Sequence, residues 1–464
     1  MKDIKREVPM FSFYNYTAIQ RHLEKRAREG WRLIKADKGS WLYRRMEPKD
    51  LHYAVVYFPD SSQFDPGPTE GQQTLRDYCL AAGWEPVTGW GQAQIYCSPL
   101  PDPVPIETEP SIQLRTIHRT MWRNFLPGNL VLLAPLLFEL WMWGKDLYWD
   151  TAAALSSPSK LSILLLTFLA ILADLVDLTG YTRWYFRSKR SIAQGGGCAP
   201  ATGHPLLIRA VLGLMVLALL WQLLAMASVA MAGFMALHLA GLMGIIWITW
   251  RIQSALKRRK FSRAANRAVT MGAIIFLSIA LMIALTEGLF MSLRSGVGER
   301  PPSETYEAYG ETWNVYHDEI PLRVEDLMET DYDGWSTEAD TQSTLLASMT
   351  ECRQDTRMAD KAAPPELRYS ITEVRFPFLR KPVERGLLRS AERYNDRHDP
   401  ARQDKYHPID ASLWDAEAAY QLYWGEDPSS WYLIFWPDRM AEIHFYWDPT
   451  PEQIAIAAEK LRNA

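Results

Sequence analysis

Between residues 124 and 293 the chain strings together apolar runs separated by charged connectors, and several of these runs are long enough to cross a bilayer. A hydrocarbon core about 30 Å thick needs roughly 20 mostly apolar helical residues. Residues 125–143 and 161–181 meet that length and are read as the first two spans. The stretch 205–250 is almost free of charge and too long for one helix, so it is read as a hairpin of spans three and four turning near 228–233. Residues 271–293 form the fifth span. The competing reading, buried core helices of a soluble protein, does not explain five such runs with one consistent charge bias.

That bias sets the expected orientation, because cytoplasmic connectors hold the excess of Lys and Arg. Arg115, Arg119 and Arg123 precede span one, and Arg183, Arg187, Lys189 and Arg190 follow span two. Arg251, Lys257, Arg258, Arg259, Lys260, Arg263 and Arg267 lie between spans four and five, while Lys145 and Lys160 alone mark the opposite side. With five crossings, the amino terminus is expected inside and the carboxyl terminus outside a bacterial cell membrane. Residues 1–293 hold 31 basic and 21 acidic side chains, and 294–464 hold 19 and 33. The acidic tail argues against nucleic acid as a partner, and the basic residues flank helices, where anionic lipid headgroups account for them.

The expected organisation is therefore a polytopic membrane domain of about five helices at 125–293. It is flanked by an α+β domain at 1–101, a linker and basic juxtamembrane segment at 102–124, and an acidic extracytoplasmic α+β domain at 294–464. The linker's run PLPDPVPIETEP resists both helix and central strand. Only Cys79, Cys97, Cys198 and Cys352 are present, and the tail holds just the last. It therefore has no internal disulfide and needs a core of ordinary size. The first hundred residues contain no basic-then-apolar signal peptide, so internal spans are expected to drive insertion.

In the amino-terminal domain, Ile19, Leu23 and Ala27 recur at helical spacing over 16–29, and Gly30 stands where a helix needs a left-handed terminating residue. Strands rich in aromatic and β-branched residues follow at 31–43 and 53–58. AREGWRLIKADKGSWLYRR is echoed by LAAGWEPVTGWGQAQIYCS, with Gly30-Trp31 matching Gly83-Trp84 and Tyr43 matching Tyr96. With an opening strand near 9–14, the order suggests a ferredoxin-like βαββαβ arrangement. Trp31 and Trp84 are read as caps on the core at the helix–strand junctions.

The opening FSFYNYTAIQRHLEKRAREGWRLIKADKGSWLYRRMEPKDLHYAVVYF resembles the amino-terminal module of an uncharacterised bacterial membrane family, domain of unknown function 2812. The shared pattern is an aromatic strand, a helix ending in Gly-Trp-x-Leu, a strand ending in Tyr, and Tyr-x-Val-x-Tyr. The resemblance covers roughly the first hundred residues and is weaker over the tail. It implies a multi-pass bacterial membrane protein linked to transcriptional regulation through neighbouring genes, and it brings no known active site.

Charge inside a bilayer is costly, so Glu139, Asp174, Asp177, Arg209, His238 and Glu287 are the candidate site residues. Glu139, His238 and Glu287 are expected at a shared depth. Asp174 and Asp177, three apart on one helix face, are expected to pair with Arg209. These groups are either exchange sites of a proton or cation pathway, or interhelical glue. The loop GGGCAPATG at 195–203 lacks the Lys and Ser/Thr of a phosphate cradle and is read as a linker.

In the tail, 311–316 reads as a strand after a stalk at 294–305, and 418–425, 430–437 and 440–447 as a meander. A helix with a Thr450-Pro451-Glu452-Gln453 capping box follows. Glu329, Asp331, Asp333, Gly334 and Asp340 approximate the spacing of a calcium loop, but with departures at both ends, so a solvated acidic turn is the favoured reading. Trp414, Trp424, Trp431, Trp436 and Trp447 suggest either a groove for peptide or sugar or a packed core.

No HExxH, CxxC, GxSxG or phosphate-loop sequence occurs, the histidines are scattered, and neither a catalytic residue nor a cofactor or metal site is expected. The bipartite layout favours a non-catalytic membrane sensor or accessory regulatory protein. Its expected partners are the lipid bilayer, a cytoplasmic regulatory protein, and an extracytoplasmic peptide, sugar or cation. A permease using the intramembrane Glu, His and Asp groups is the first alternative, and a membrane enzyme without a recognisable motif the second.

Overall fold

The computed structural model describes all residues except 1–2, 9–10, 37–39, 91, 108, 202–204, 225–228, 295–299, 358–363 and 396–402. The chain sorts into two compact units. One comprises Met1–Leu137, Leu166–Leu220 and Ser228–Val297, and the other Phe138–Leu165, Trp221–Ala227 and Gly298–Ala464.

The amino-terminal head of the first unit is one motif used twice. Strand β1 (Ile4–Glu7), helix α1 (Tyr16–Arg28), β2 (Trp31–Ala36) and β3 (Trp41–Arg45) are followed by β4 (His52–Tyr57), α2 (Glu70–Ala81), β5 (Glu85–Trp90) and β6 (Ala93–Ser98). The strands form two antiparallel sheets with the same order, β1-β3-β2 and β4-β6-β5. Each helix stops at a glycine in the left-handed region, Gly30 with φ 81° and Gly83 with φ 83°, a conformation that costs a residue with a Cβ about 1–2 kcal/mol. Both second strands shift register at the equivalent place, Leu33/Lys35 and Pro86/Thr88. The repeat signalled by the two Gly-Trp pairs is thus present in the topology.

A single ferredoxin-like sheet is not what the strands build, since they fall into two sheets of three. The opening strand also differs from expectation. It lies at Ile4–Glu7, and the aromatic run after it is a turn whose rings leave the sheet: Phe13 stacks on Phe125 at 3.9 Å between centroids. Helix α1 buries Ile19, Leu23 and Ala27, as their spacing predicts. Strand β4 is buried on both faces, Tyr53, Val55 and Tyr57 joining the α1 core and Ala54 and Val56 joining Cys79, Trp84 and Tyr96.

Helix α3 (Pro110–Thr120) passes through a π turn at Met121–Phe125 into α4 (Leu126–Trp149). The short α5 (Thr151–Ser156) and then α6 (Pro158–Ala193), α7 (Pro205–Leu224), α8 (Val229–Arg258) and α9 (Arg263–Arg294) follow. Five helices, those containing α4, α6, α7, α8 and α9, are long and apolar enough to cross a bilayer, which makes this a multi-pass membrane protein. The expected turn at 228–233 lies partly outside the described residues. Helix α3 falls in a stretch read from sequence as linker and basic segment. It is amphipathic, burying Leu114, Ile117 and Thr120 and leaving Arg115 and Arg119 to solvent.

In the second unit, a hairpin of β7 (Glu304–Ala308) and β8 (Glu311–Val315) precedes β9 (Ser336–Ser343), β10 (Ala347–Asp355) and β11 (Leu367–Val374). Then come α10 (Pro377–Ser390), β12 (Asp404–Ile409), β13 (Ala418–Trp424), β14 (Asp427–Phe435), β15 (Arg439–Phe445) and α11 (Pro451–Arg462). Seven strands form one antiparallel sheet in the order β12-β13-β14-β15-β11-β10-β9, which contains the expected meander. Helix α11 carries the full capping box at Thr450 and Gln453. It closes one sheet face over Trp414, Ile434, Trp436, Ile443 and Phe445. On the other face α10 and the connector helix α5 cover part of the sheet, where Ala152, Leu155, Val383 and Leu387 pack on Leu433, Phe435 and Met440. The rest of that face is open.

Candidate functional site

The intramembrane candidates separate into two groups. Asp174 is buried and Asp177 half-buried on α6, where Ser12 and Tyr14 of the head lie beside the Asp177 carboxylate. One oxygen of each, Asp174 Oδ2 and Asp177 Oδ1, is buried with no hydrogen-bond partner among the described residues. The Tyr14 hydroxyl occupies the notch left by Gly180, where any Cβ would collide with it. The Tyr14 ring packs against Tyr181 at 5.7 Å and Trp184 at 5.9 Å. Burial, with the Asp177 carboxylate adding to it, pushes the Tyr14 hydroxyl far above its ordinary range and keeps it protonated. Arg209 is exposed and forms no ion pair with either aspartate. Glu139, His238 and Glu287 are likewise exposed, and among the described residues none of them makes a hydrogen bond or ion pair. In place of the expected pairing with Arg209, Asp177 lies against the head and Asp174 lies beside Asp177.

Further contacts tie the head to basic connectors. Arg263 binds the Asp65 carboxylate through Nε at 2.5 Å and Nη2 at 3.1 Å, Asn266 donates to Phe64 O at 3.0 Å, and Arg123 reaches Asp60 at 2.9 Å. Trp184 Nε1 of α6 donates to Ala199 O at 2.9 Å, and Ala201 N donates to Thr17 Oγ1 of the head at 3.0 Å, so the described part of the glycine-rich loop is held by α6 and the head together. Next to it Glu107 is half-buried near Tyr16, Tyr57 and Cys198. Burial pushes its carboxyl up to about 7, against a hydrogen bond from Gln113.

The open sheet face of the second unit forms a cleft of about 1220 Å³, walled on one side by the β7–β8 hairpin. Antiparallel register lines up side chains from several strands on its floor. One row runs Glu338, Arg353, Arg368, His444 and Trp431. The next runs Asp340, Glu351, Ser370 and Glu442. Trp431 meets His444 edge-on at 4.6 Å, and burial together with the Arg368 guanidinium holds His444 down at about 4, a neutral imidazole near neutral pH. Glu442 accepts a hydrogen bond from Tyr406 Oη at 2.7 Å. Burial pushes its carboxyl above the usual range, a shift the Tyr406 bond opposes and the Asp150 and Glu351 carboxylates increase.

The connector between α4 and α6 is seated on the same sheet. Asp150 caps α5 by accepting from Ala153 N at 3.1 Å, and Thr344 Oγ1 donates to Leu155 O at 2.6 Å. Arg389 lies 3.6 Å from the centre of the Tyr148 ring and donates to Tyr148 O at 2.8 Å. Thr151 sits where a Cβ on Gly386 would be.

Of the five tryptophans weighed as a groove, Trp414 and Trp436 are wholly buried, and Trp447 packs on the same core. Trp424 is exposed, and Trp431 lines the cleft. The twelve-residue calcium spacing is not one loop. Ser336–Ser343 is a strand with Asp340 paired opposite Glu351, and among the described residues no cluster of three or more acidic, His or Cys side chains could hold a metal ion. The cleft residues went unrecognised in the sequence because each comes from a different strand; the alternation of Glu351 and Arg353 along β10 was the one local signal. Comparison with protein-family models, curated proteins and solved structures returned no match.

Proposed function

We propose that the chain is a non-catalytic bacterial membrane sensor or accessory regulatory protein. Its carboxy-terminal cleft binds a ligand outside the cell, and its amino-terminal head is read by a partner inside. The observation that carries this reading is the double role of α5. The helix that covers part of the cleft-bearing sheet is also the link between two spans, α4 and α6. A ligand that alters how that sheet holds α5 therefore acts directly on the membrane helices, and it shifts their packing only by its differential affinity for the two arrangements. At its far end α6 carries the Asp177, Gly180, Tyr181 and Trp184 face on which Tyr14 of the head is seated.

Reporter fusions after Arg190, Arg263 and Ala464 test the orientation, with cytoplasmic signals expected from the first two and an extracytoplasmic one from the last. Deletion of either soluble domain tests the function. Loss of a transcriptional or envelope response with solute flux intact is the expected result. Flux that depends on the membrane helices and survives both deletions would replace the sensor with a permease.

A further inference from the structure

The charges on the cleft wall and floor do not cancel. Its four arginines each hold a carboxylate already: Arg300 with Asp318, Arg353 with Glu338, Arg357 with Glu304, and Arg368 with Asp355. The row Asp340, Glu351, Ser370 and Glu442 has no such compensation. Asp340 and Glu351 stand directly opposite each other on neighbouring strands, an arrangement that is unfavourable by itself, and among the described residues neither makes an ion pair or a hydrogen bond. Ser370 stands between Glu351 and Glu442, lines the cleft at only 9% exposure, and has no side-chain hydrogen-bond partner among the described residues. Its hydroxyl faces the open cleft and is free to accept from a donor arriving there.

We propose that this row binds a linear organic diamine or polyamine, with one ammonium group at Asp340 and Glu351, another at Glu442, and an intervening N–H donated to Ser370. The inference rests on the sensor reading for its biological sense but not for its chemistry. Strands lie about 4.8 Å apart, so Glu351 and Glu442, two strands apart, are separated by roughly 10 Å, and the whole row spans roughly 14 Å. One metal ion cannot bridge carboxylates at that separation, because its ligands must all lie within about 2.6 Å. A flexible chain with positive ends can. The indole of Trp431, in the adjoining row, offers an apolar surface for its methylene groups.

The test is titration of the detergent-solubilised full-length protein with spermidine, followed by calorimetry, with magnesium chloride at matched ionic strength as the comparison. Saturable spermidine binding that magnesium does not reproduce is expected. Glu351→Gln, an exposed change that leaves the fold intact, and Glu442→Gln should each weaken it about tenfold, the loss of one charge-assisted contact. Ser370→Ala should weaken it less, and Trp424→Ala, outside the cleft, should leave it unchanged. Absence of spermidine binding by the folded protein overturns the proposal, as does equal binding by Glu351→Gln and Glu442→Gln or full competition by magnesium. If spermidine binds as expected but the cellular response ignores it, the sensor reading fails and the site stands; if spermidine does not bind while deletion of the carboxy-terminal domain still abolishes the response, the site fails and the sensor reading stands.

Discussion

Two seams join soluble structure to membrane helices in this protein, and both are built around a glycine. At Gly180 the notch takes the tip of Tyr14, the far end of a long side chain. At Gly386 it takes Thr151, whose Oγ1, Cβ and backbone N all crowd the position. The first seam is aromatic and leaves two buried carboxylate oxygens unpartnered; the second is made of small aliphatic side chains and closed by Arg389 over Tyr148. Two unpartnered carboxylate oxygens have more to gain by rearranging than the one hydroxyl, Ser156 Oγ, that the close-packed second seam leaves without a partner among the described residues. The head seam is therefore the more adaptable of the two, and the α5 seam the stiffer.

The largest expected effect that would sharpen this contrast is Gly386→Val. With backbone as well as side chain in the way, overpacking should cost about 1–3 kcal/mol, read as a lowered melting temperature of the purified full-length protein. Asp65→Asn comes next: it removes the carboxylate that Arg263 grips and that accepts from Ser62 N at 2.7 Å, at a cost of about 1 kcal/mol given the half-exposed arginine. Faster amide exchange at residues 60–65 checks it. Gly180→Val should cost less than about 1 kcal/mol because Tyr14 can swing aside, while exchange at residues 11–14 rises. A Gly180 variant less stable than the Gly386 one would reverse the ranking of the seams. The smallest effect concerns Glu107 beside the head seam. Its folded-state value of about 7 lies above the ordinary 4.5, so the folded protein holds the extra proton, and stability falls as pH rises through that window and is level above it. Glu107→Gln should flatten the slope; a slope unchanged by the substitution would remove Glu107 as its source.

The parts of this architecture visible in the sequence are those specified locally. Five apolar runs announce themselves by length alone, and the two Gly-Trp stops announce the head repeat because a helix terminus needs a residue free to adopt positive φ. Residues 9–14 read as a strand because an aromatic run satisfies strand propensity wherever it lies. Its rings are instead spent on Phe125 and Trp184, partners far away in the chain. Asp174 and Asp177 are recognisable as important by their cost in a bilayer, yet the neighbours of Asp177 come from a turn more than 150 residues earlier, which helical spacing cannot reveal. The cleft was least visible, since Asp340, Glu351, Ser370 and Glu442 become neighbours only once the register of four strands is known.

Helix α6 has 36 residues, and at 1.5 Å per residue it is about 54 Å long, against a hydrocarbon slab of about 30 Å. Nearly half of its length must therefore project into water or headgroups, or the rod must lean steeply. A continuous helix without an internal proline neither stretches nor compresses appreciably, so any displacement imposed at Pro158 has to reappear near Ala193 as a slide, a roll or a change of tilt.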